Sequence, residues 1–224
     1  NVKVLHFYHL LLAFYFSNGV YLRDLESYRN VKNLGIKSSK LNLVKDLAFY
    51  LNPETKKNIQ KILNLEQIPE KRLMGLSLNY THNQEKNDKL ERVYTKTINK
   101  IILETNFDIV YFTFCPAFNS KLSDKVFGEK IRESLSDKSR FHIIDYYSPK
   151  IVLGLMKRMD AFIAMRFHAQ LFSYKLKIPF FGIAYEEKCS SFLKNHCENW
   201  MNIEEIYKKY SEIIKWAVSI QNER

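Results

Sequence analysis

An arginine and a histidine stand two positions apart where an apolar segment runs into a predicted helix. The segment Met165-Arg166-Phe167-His168-Ala169 leaves almost no loop between the two elements. A helix N-terminus favours an anion, and an arginine adds a planar fork that matches phosphate or carboxylate. A histidine can exchange a proton near neutral pH. This spacing fits anion chemistry and, equally, a pair of side chains that cap a surface turn.

A second polar junction, Ala184-Tyr185-Glu186-Glu187-Lys188, follows the next predicted strand. If the two strands are neighbours, Lys188 faces the same crevice as Arg166 and His168, because ligands bind beyond the carboxyl ends of parallel strands. Three cations around one pocket suit a multiply charged anion. A shared pocket requires Lys188 to lie within roughly 15 Å of His168, the reach of one small ligand. Taken alone, the segment is also typical of a solvated turn.

Strands alternate with helices from residue 72 onward, which can place both junctions at one edge of a sheet. The strands are predicted at 72–79, 108–114, 141–145, 161–165 and 179–184. The helices are predicted at 85–105, 122–137, 149–159, 167–177, from about 187, and at 203–221. Strict alternation with apolar strands indicates an α/β fold, a parallel, doubly wound, Rossmann-like sheet covered on both faces. Neither a GxGxxG nor a P-loop motif is present.

The first part of the chain contains an apolar helix without an obvious partner. Residues 4–16 are nearly all apolar but too few to cross a membrane. A helix that is apolar on every side is usually buried in a larger core. We therefore expect this helix to expose apolar surface in this chain, and the sequence to begin part-way through a longer protein. Shorter elements are predicted at 20–23, 24–34, 41–44 and 54–64.

The composition is that of a packed globular protein with excess positive charge. Of 224 residues, 35 are Lys or Arg and 24 are Asp or Glu, which gives a net charge of +11. Only nine are Arg, and the basic residues are scattered, which argues against a nucleic-acid binder. A compositional bias of the genome explains this pattern; the functional alternative is attraction to an anionic substrate or membrane surface. Three cysteines without a CxxC pair, and no zinc spacing, indicate a reducing compartment and no metal site.

Several short motifs, in order, resemble those of the polysaccharide pyruvyl transferase family. They are Val20–Ser27, which contains Arg23-Asp24, then Gly35-Ile36, Asp46–Phe49, Asp160–Ala169, Ile178-Pro179, and Tyr185–Lys188 with Phe192. Lys177 stands where the family usually has Gly. The N-terminal half of the family's domain, with its N-x-GD turn, has no counterpart in this chain.

The resemblance implies an enzyme like the two-domain GT-B glycosyltransferases, with its active site between the domains. In that arrangement residues 1–66 are a remnant of the first Rossmann-like domain and 67–71 are a linker. Residues 72–200 form the Rossmann-like donor-binding domain, and 201–224 a C-terminal helix. Whether the chain is active without the missing half stays open.

The implied reaction moves a pyruvyl group from phosphoenolpyruvate to a sugar of a cell-surface polysaccharide, giving a cyclic ketal and phosphate. By this resemblance Arg166, Lys188 and Arg23 hold the donor anion, His168 is the acid/base, and Tyr185 lines the pocket. No metal and no cofactor besides the donor phosphoenolpyruvate are required. The acceptor is a sugar or a lipid-linked glycan. We expect a cytoplasmic protein, with contact to the inner face of the membrane and homo-oligomerisation left open.

Three alternatives remain at this stage. A glycosyltransferase that uses a nucleotide sugar would employ the same cations to bind a diphosphate. A non-catalytic polysaccharide-assembly module would need no chemistry at the two junctions. A nucleic-acid binder would require strong, salt-dependent affinity.

Overall fold

The structure, a computed structural model, describes residues 2–79, 84–116 and 123–222, with side chains from Tyr8 onward except that of Gln84. The chain forms two compact units, Asn1–Tyr50 and Leu51–Arg224. This division differs from the linker expected at 67–71. The helix after Tyr50 belongs to the second unit, because Ile59 and Leu63 on it are buried there.

The N-terminal unit is built on a two-stranded parallel sheet. Its elements are α1 (Val2–Phe16), β1 (Val20–Leu22), α2 (Leu25–Asn33) and β2 (Leu41–Leu43), with 3-10 turns at Ser38–Lys40 and Leu47–Tyr50. Its buried apolar cluster comprises Val20, Val31, Ile36 and Leu41. The side chains of α1 that stay between 48% and 76% exposed are Tyr8, Leu10, Leu12, Tyr15 and Phe16. Exposed apolar surface on this helix, predicted from its lack of a polar face, is therefore present.

The second unit is a six-stranded parallel sheet with helices around it. The strands are β3 (Leu73–Ser77), β4 (Asp108–Phe112), β5 (Phe141–Ile144), β6 (Ala161–Ala164), β7 (Phe180–Ala184) and β8 (Trp200–Asn202). The helices are α3 (Lys56–Leu65), α4 (Gln84–Glu104), α5 (Asp124–Glu133), α6 (Pro149–Met156), α7 (Phe167–Leu176), α8 (Glu187–His196) and α9 (Ile206–Asn222). The predicted parallel α/β fold is confirmed, with β8 as an additional edge strand.

The strand order β5-β4-β3-β6-β7-β8 contains one reversal of direction. From β3 the chain builds outward through β4 to β5, then returns to lay β6 on the other side of β3. In open parallel sheets ligands bind beyond the carboxyl ends of the strands at such a switch point. The fold therefore directs attention to the residues that follow β3 and β6.

The C-terminal helix is part of the second unit's core. In α9, Ile213, Trp216 and Ala217 are buried with the residues of the sheet and of α4. The Trp216 ring lies 5.7 Å from the ring of Phe181 on β7. Residues 201–224 thus contribute the end of β8 and a packed helix to this layer.

Lys177 ends α7 in the left-handed conformation, with φ at 57°. Glycine is the usual residue at this position of a helix C-terminus because it has no Cβ to clash. The backbone therefore explains why glycine would suit the position at which this chain carries a lysine.

Candidate active site at the switch point of the sheet

The junction of β6 and α7 places Arg166 directly at a helix N-terminus. The strand ends at Ala164, Met165 is buried, and Arg166 is the N-cap residue of α7. The Arg166 side chain makes no capping hydrogen bond. Its backbone N–H instead donates to Ser77 Oγ at 3.3 Å, at the end of β3. This contact joins the two strands that flank the switch point.

The Arg166 guanidinium forms an ion pair with Asp124, the first residue of α5. The pair joins Nη2 to Oδ1, and the Asp124 carboxylate has 0% exposure whereas the Arg166 side chain has 20%. The other carboxylate oxygen accepts hydrogen bonds from the N–H groups of Phe114 at 3.1 Å and Cys115 at 2.9 Å. Burial raises the pKa of Asp124 although Arg166 opposes this shift. The Arg166 Nε has no hydrogen-bond partner among the described residues.

The second junction lies at the same edge, because β7 is the neighbour of β6. Lys188 Nζ lies 2.9 Å from Glu186 Oε1 and 5.7 Å from the centre of the Phe167 ring. Burial opposes ionisation of Glu186, but hydrogen bonds from Lys188 and Tyr185 hold its pKa below the usual value. Lys188 therefore lies beside the start of α7, and its charge is partly neutralised by the ion pair with Glu186.

His168 lies on the first turn of α7 and is exposed. Its ring centre is 5.8 Å from that of Phe167 and 6.2 Å from that of Phe172. Because Lys188 contacts the same Phe167 ring, the imidazole and the ammonium lie well inside the roughly 15 Å that one small ligand can bridge. The predicted proximity of the two junctions is therefore present.

Tyr185 is half-buried where β7 passes into α8. Burial raises the pKa of its hydroxyl, and the hydrogen bond to Glu186 acts in the same direction. The group therefore stays protonated at neutral pH, and its single O–H is used by Glu186, which leaves the hydroxyl oxygen as an acceptor.

Arg23 belongs to the N-terminal unit, directly after β1. Its Nη1 lies 3.3 Å from Asp46 Oδ2 and its Nε 3.8 Å from Asp24 Oδ2. The sheet of the second unit thus brings together four of the five predicted side chains, those of Arg166, His168, Tyr185 and Lys188. The fifth, Arg23, belongs to the N-terminal unit.

Two further buried polar residues support the site and were not predicted. Asp124 follows Ser123, which caps α5, so in the sequence the pair is typical of an ordinary helix start. The buried Gln170 donates from Nε2 to the carbonyl groups of Ala164, Met165 and Ile183. It thereby ties the carboxyl ends of β6 and β7 together, a contact that no local pattern signals.

Within the described part of the chain, no group of three or more His, Cys, Asp or Glu side chains is arranged to hold a metal ion. Over the same residues, no helix is both long and apolar enough to cross a bilayer.

The parallel sheet, its switch point and the cationic helix terminus define a Rossmann-like unit of the GT-B type. The structure is similar to a putative UDP-N-acetylglucosamine 2-epimerase from Listeria monocytogenes, with a TM-score of 0.63, 10% identity, and coverage of 92% of this chain and 52% of that one. It is similar to the Methanocaldococcus jannaschii UDP-GlcNAc 2-epimerase, with a TM-score of 0.59, 16% identity, and coverage of 93% and 55%. It is also similar to the E. coli ADP-heptose lps heptosyltransferase II, with a TM-score of 0.58, 10% identity, and coverage of 77% and 54%.

These identities establish similarity of fold, and the chain spans about half the length of each solved structure. No curated protein sequence matches the chain significantly. The family model for polysaccharide pyruvyl transferase matches residues 4–187. The chain therefore belongs to the polysaccharide pyruvyl transferase family, which is a family of transferases.

Proposed function

We propose that the second unit binds phosphoenolpyruvate and that the protein transfers its pyruvyl group to a sugar. The observation that carries this proposal is the position of Arg166 and His168 at the N-terminus of α7, at the switch point, inside the region that matches the family. A helix N-terminus with an arginine beside it is suited to a phosphate or carboxylate.

Recognition of the donor rests on directed hydrogen bonds more than on net charge. Arg166 is paired with Asp124 and Lys188 with Glu186, so each cation already has a carboxylate partner. The Nε of Arg166 is buried, but the side chain keeps 20% exposure, so another part of the guanidinium reaches the crevice where a ligand anion can bind. His168, when protonated, adds a positive charge at the same helix terminus. By the family match, Arg23 is proposed as a further contact to the donor.

The proposed reaction needs one proton delivered and two removed. The methylene carbon of the enol accepts a proton, and a sugar hydroxyl adds to C2 as it loses its own proton. A second hydroxyl then replaces the phosphate, which leaves with the oxygen that joined it to C2. The products are a cyclic ketal and inorganic phosphate. His168 is proposed as the acid/base, Tyr185 as a residue that lines the pocket, and no cofactor besides the donor phosphoenolpyruvate is used.

We propose that the acceptor is a sugar of a cell-surface glycan, free or lipid-linked. The net charge of +11 supports attraction to an anionic membrane surface at the cytoplasmic face. Self-association through the exposed apolar residues of α1 is a further proposal, supported by the exposure of Tyr15 and Phe16.

A glycosyltransferase that uses a nucleotide sugar is the second candidate. The similar solved structures named for UDP-GlcNAc and ADP-heptose favour it. In that case Arg166 and Lys188 would hold a diphosphate in place of the phosphate and carboxylate of phosphoenolpyruvate.

Calorimetric titration of the chain with phosphoenolpyruvate, alone and in the presence of UDP or ADP, separates the two candidates. We expect phosphoenolpyruvate to bind, neither nucleotide to displace it, and Arg166→Gln to weaken its binding. Arg132→Gln is the matched control, because Arg132 is a half-buried arginine on α5 that pairs with Glu129. Tighter binding of UDP or ADP, with displacement of phosphoenolpyruvate, would overturn the proposed donor and favour the nucleotide-sugar candidate.

A further inference from the structure

Asp124 ties Arg166 to a strand that lies two positions away in the sheet. Asp124 is the first residue of α5, and one oxygen of its carboxylate accepts hydrogen bonds from the N–H groups of Phe114 and Cys115, which follow β4. Its other oxygen holds the guanidinium of Arg166, which follows β6. Between these strands lies β3, whose Ser77 accepts the backbone N–H of Arg166. Arg166 is therefore held at its main chain and at its side chain by two different strand ends.

Burying this ion pair costs free energy of folding. A carboxylate with no exposed surface loses its hydration, and apolar residues of similar volume often replace a buried ion pair without loss of stability. The Asp124 carboxylate is fully buried, whereas the Arg166 side chain keeps 20% exposure. The pair thus has an inaccessible anion behind a cation that reaches the surface of the crevice. Such a geometry orients the cation and at the same time removes most of its net charge.

We propose that Asp124 is the positioning residue for Arg166, and that it makes donor recognition depend on the geometry of the guanidinium rather than on its charge. The proposal rests on the proposed function, in which Arg166 contacts phosphoenolpyruvate. A guanidinium held at Nη2 presents its remaining N–H groups in fixed directions. Phosphoenolpyruvate carries two anionic groups, so one can bind the fixed fork while the other lies at the N-terminus of α7. Inorganic phosphate is a single group and gains less from the fixed direction of the fork. Asp124 therefore sets selectivity between the two anions.

The substitution Asp124→Asn tests this role. An amide offers one oxygen, but three donors surround the carboxylate, so an NH2 group must face at least one N–H. The guanidinium loses its fixed direction and regains its full charge. The ratio of the dissociation constants of inorganic phosphate and phosphoenolpyruvate should fall about tenfold or more, as for one lost charged hydrogen bond. The affinity for inorganic phosphate should stay unchanged or increase.

Asp108→Asn is the matched control. Asp108 is also buried in this sheet and also pairs with an arginine, Arg140, with Nε and Oδ1 3.2 Å apart, but at the opposite edge. The Asp108→Asn substitution should lower stability and leave the ratio of the two dissociation constants unchanged. A change of that ratio in Asp124→Asn alone is then not a general effect of losing a buried carboxylate. If Asp124→Asn does not fold, Asp124→Ser keeps a small acceptor at the helix start and is measured in its place. In an Arg166→Gln background, removal of the Asp124 carboxylate should no longer change the ratio.

The NMR signal of the Arg166 Nε–H reports its orientation without any ligand. In the wild type it should be a distinct, slowly exchanging signal, and in Asp124→Asn it should move into the range of mobile arginines. A wild type that does not prefer phosphoenolpyruvate over inorganic phosphate would overturn the proposed function, and with it the role of Asp124 in selectivity. A wild type with that preference, and an Asp124→Asn variant that keeps it, would overturn the role of Asp124 alone.

Discussion

Two buried arginine–aspartate pairs stand at opposite edges of the same sheet and differ in what their arginines have left to donate. Asp108, at the start of β4, accepts from Arg140 at 3.2 Å and lies 3.1 Å from His142 Nε2. Its side chain is 4% exposed, close to the full burial of Asp124 at the carboxyl edge. The two acids are thus similar in chemistry and in burial.

The arginines are not similar. Arg140 donates from Nη1 to the Ile102 carbonyl at 2.6 Å, and from Nη2 to those of Thr105 at 2.9 Å and Phe107 at 2.6 Å. Arg166 donates to Asp124, and its Nε is without a partner among the described residues. The guanidinium of Arg140, with four hydrogen bonds to the protein, stabilises the fold. The guanidinium of Arg166 makes one, to Asp124, and its side chain keeps 20% exposure, so it is able to bind a ligand although its Nε is buried.

The largest expected effect is on turnover, at the carboxyl edge. His168→Ala should lower the rate of ketal formation by about 10²–10⁴-fold if His168 is the acid/base, and leave donor affinity nearly unchanged. Phosphate release at saturating phosphoenolpyruvate and direct titration measure the two quantities separately. Loss of donor binding with turnover kept at saturation would make His168 an anion ligand, and the proton transfer would have to be assigned to another group such as Tyr185.

Next in size is the loss of stability expected at the amino edge. Arg140→Ala leaves the Asp108 carboxylate buried without its ion-pair partner, which should cost about 3–5 kcal/mol of unfolding free energy. Urea denaturation measures this loss. The folded fraction should bind phosphoenolpyruvate as the wild type does, because every described contact of Arg140 lies at the other end of the sheet. A parallel loss of donor affinity would contradict the division between the two edges.

Arg166→Ala should act mainly on affinity. It removes a charged contact to the donor worth roughly 1.5–3 kcal/mol, about ten- to a hundredfold in the dissociation constant. The protein should lose stability, because the buried Asp124 loses its ion-pair partner, but remain folded, because the N–H groups of Phe114 and Cys115 still donate to the carboxylate. Titration with phosphoenolpyruvate and a thermal melt check the two statements. Unchanged affinity would remove Arg166 from the donor site.

The smallest expected effect is on how stability depends on pH, and it differs between Asp124 and Asp145, two acids near the carboxyl edge. Burial raises the pKa of Asp124, so its contribution to stability is complete below about pH 3.9 and is lost as the pH rises through the raised value. A hydrogen bond from Lys125 lowers the pKa of Asp145, so its contribution is present above about pH 3.9 and is lost below it.

The free energy of unfolding of the wild type, relative to that of Asp124→Asn, should therefore increase on acidification from pH 7 to 4. The advantage of the wild type over Asp145→Asn should decline only at still lower pH. Denaturation series at several pH values measure both differences. An advantage over Asp124→Asn that shrinks on acidification would show that the ion pair with Arg166 outweighs burial.

Local patterns predicted most of the elements because helices and strands of this length carry their own periodicity. Helix 85–105 and strand 108–114 were predicted close to α4 and β4. The strand β8 was missed because its last residue, Asn202, is also the N-cap of the helical turn that follows, so the segment has the pattern of a helix start. The boundary between the two units lies after Tyr50 and not at 67–71. The helix α3 belongs to the second unit because Ile59 packs against Gly154 of α6, a contact that composition does not reveal.

The sequence by itself determined that an arginine and a histidine stand at the start of a helix that follows a buried strand. It also determined that a second polar junction follows the next strand, because both facts depend on residues close together in the chain. The tertiary structure alone decided that the first junction lies at the switch point, and that Asp124, 42 residues before Arg166, is its partner. Strand order and contacts between distant elements arise from how whole faces pack, and no local periodicity records them.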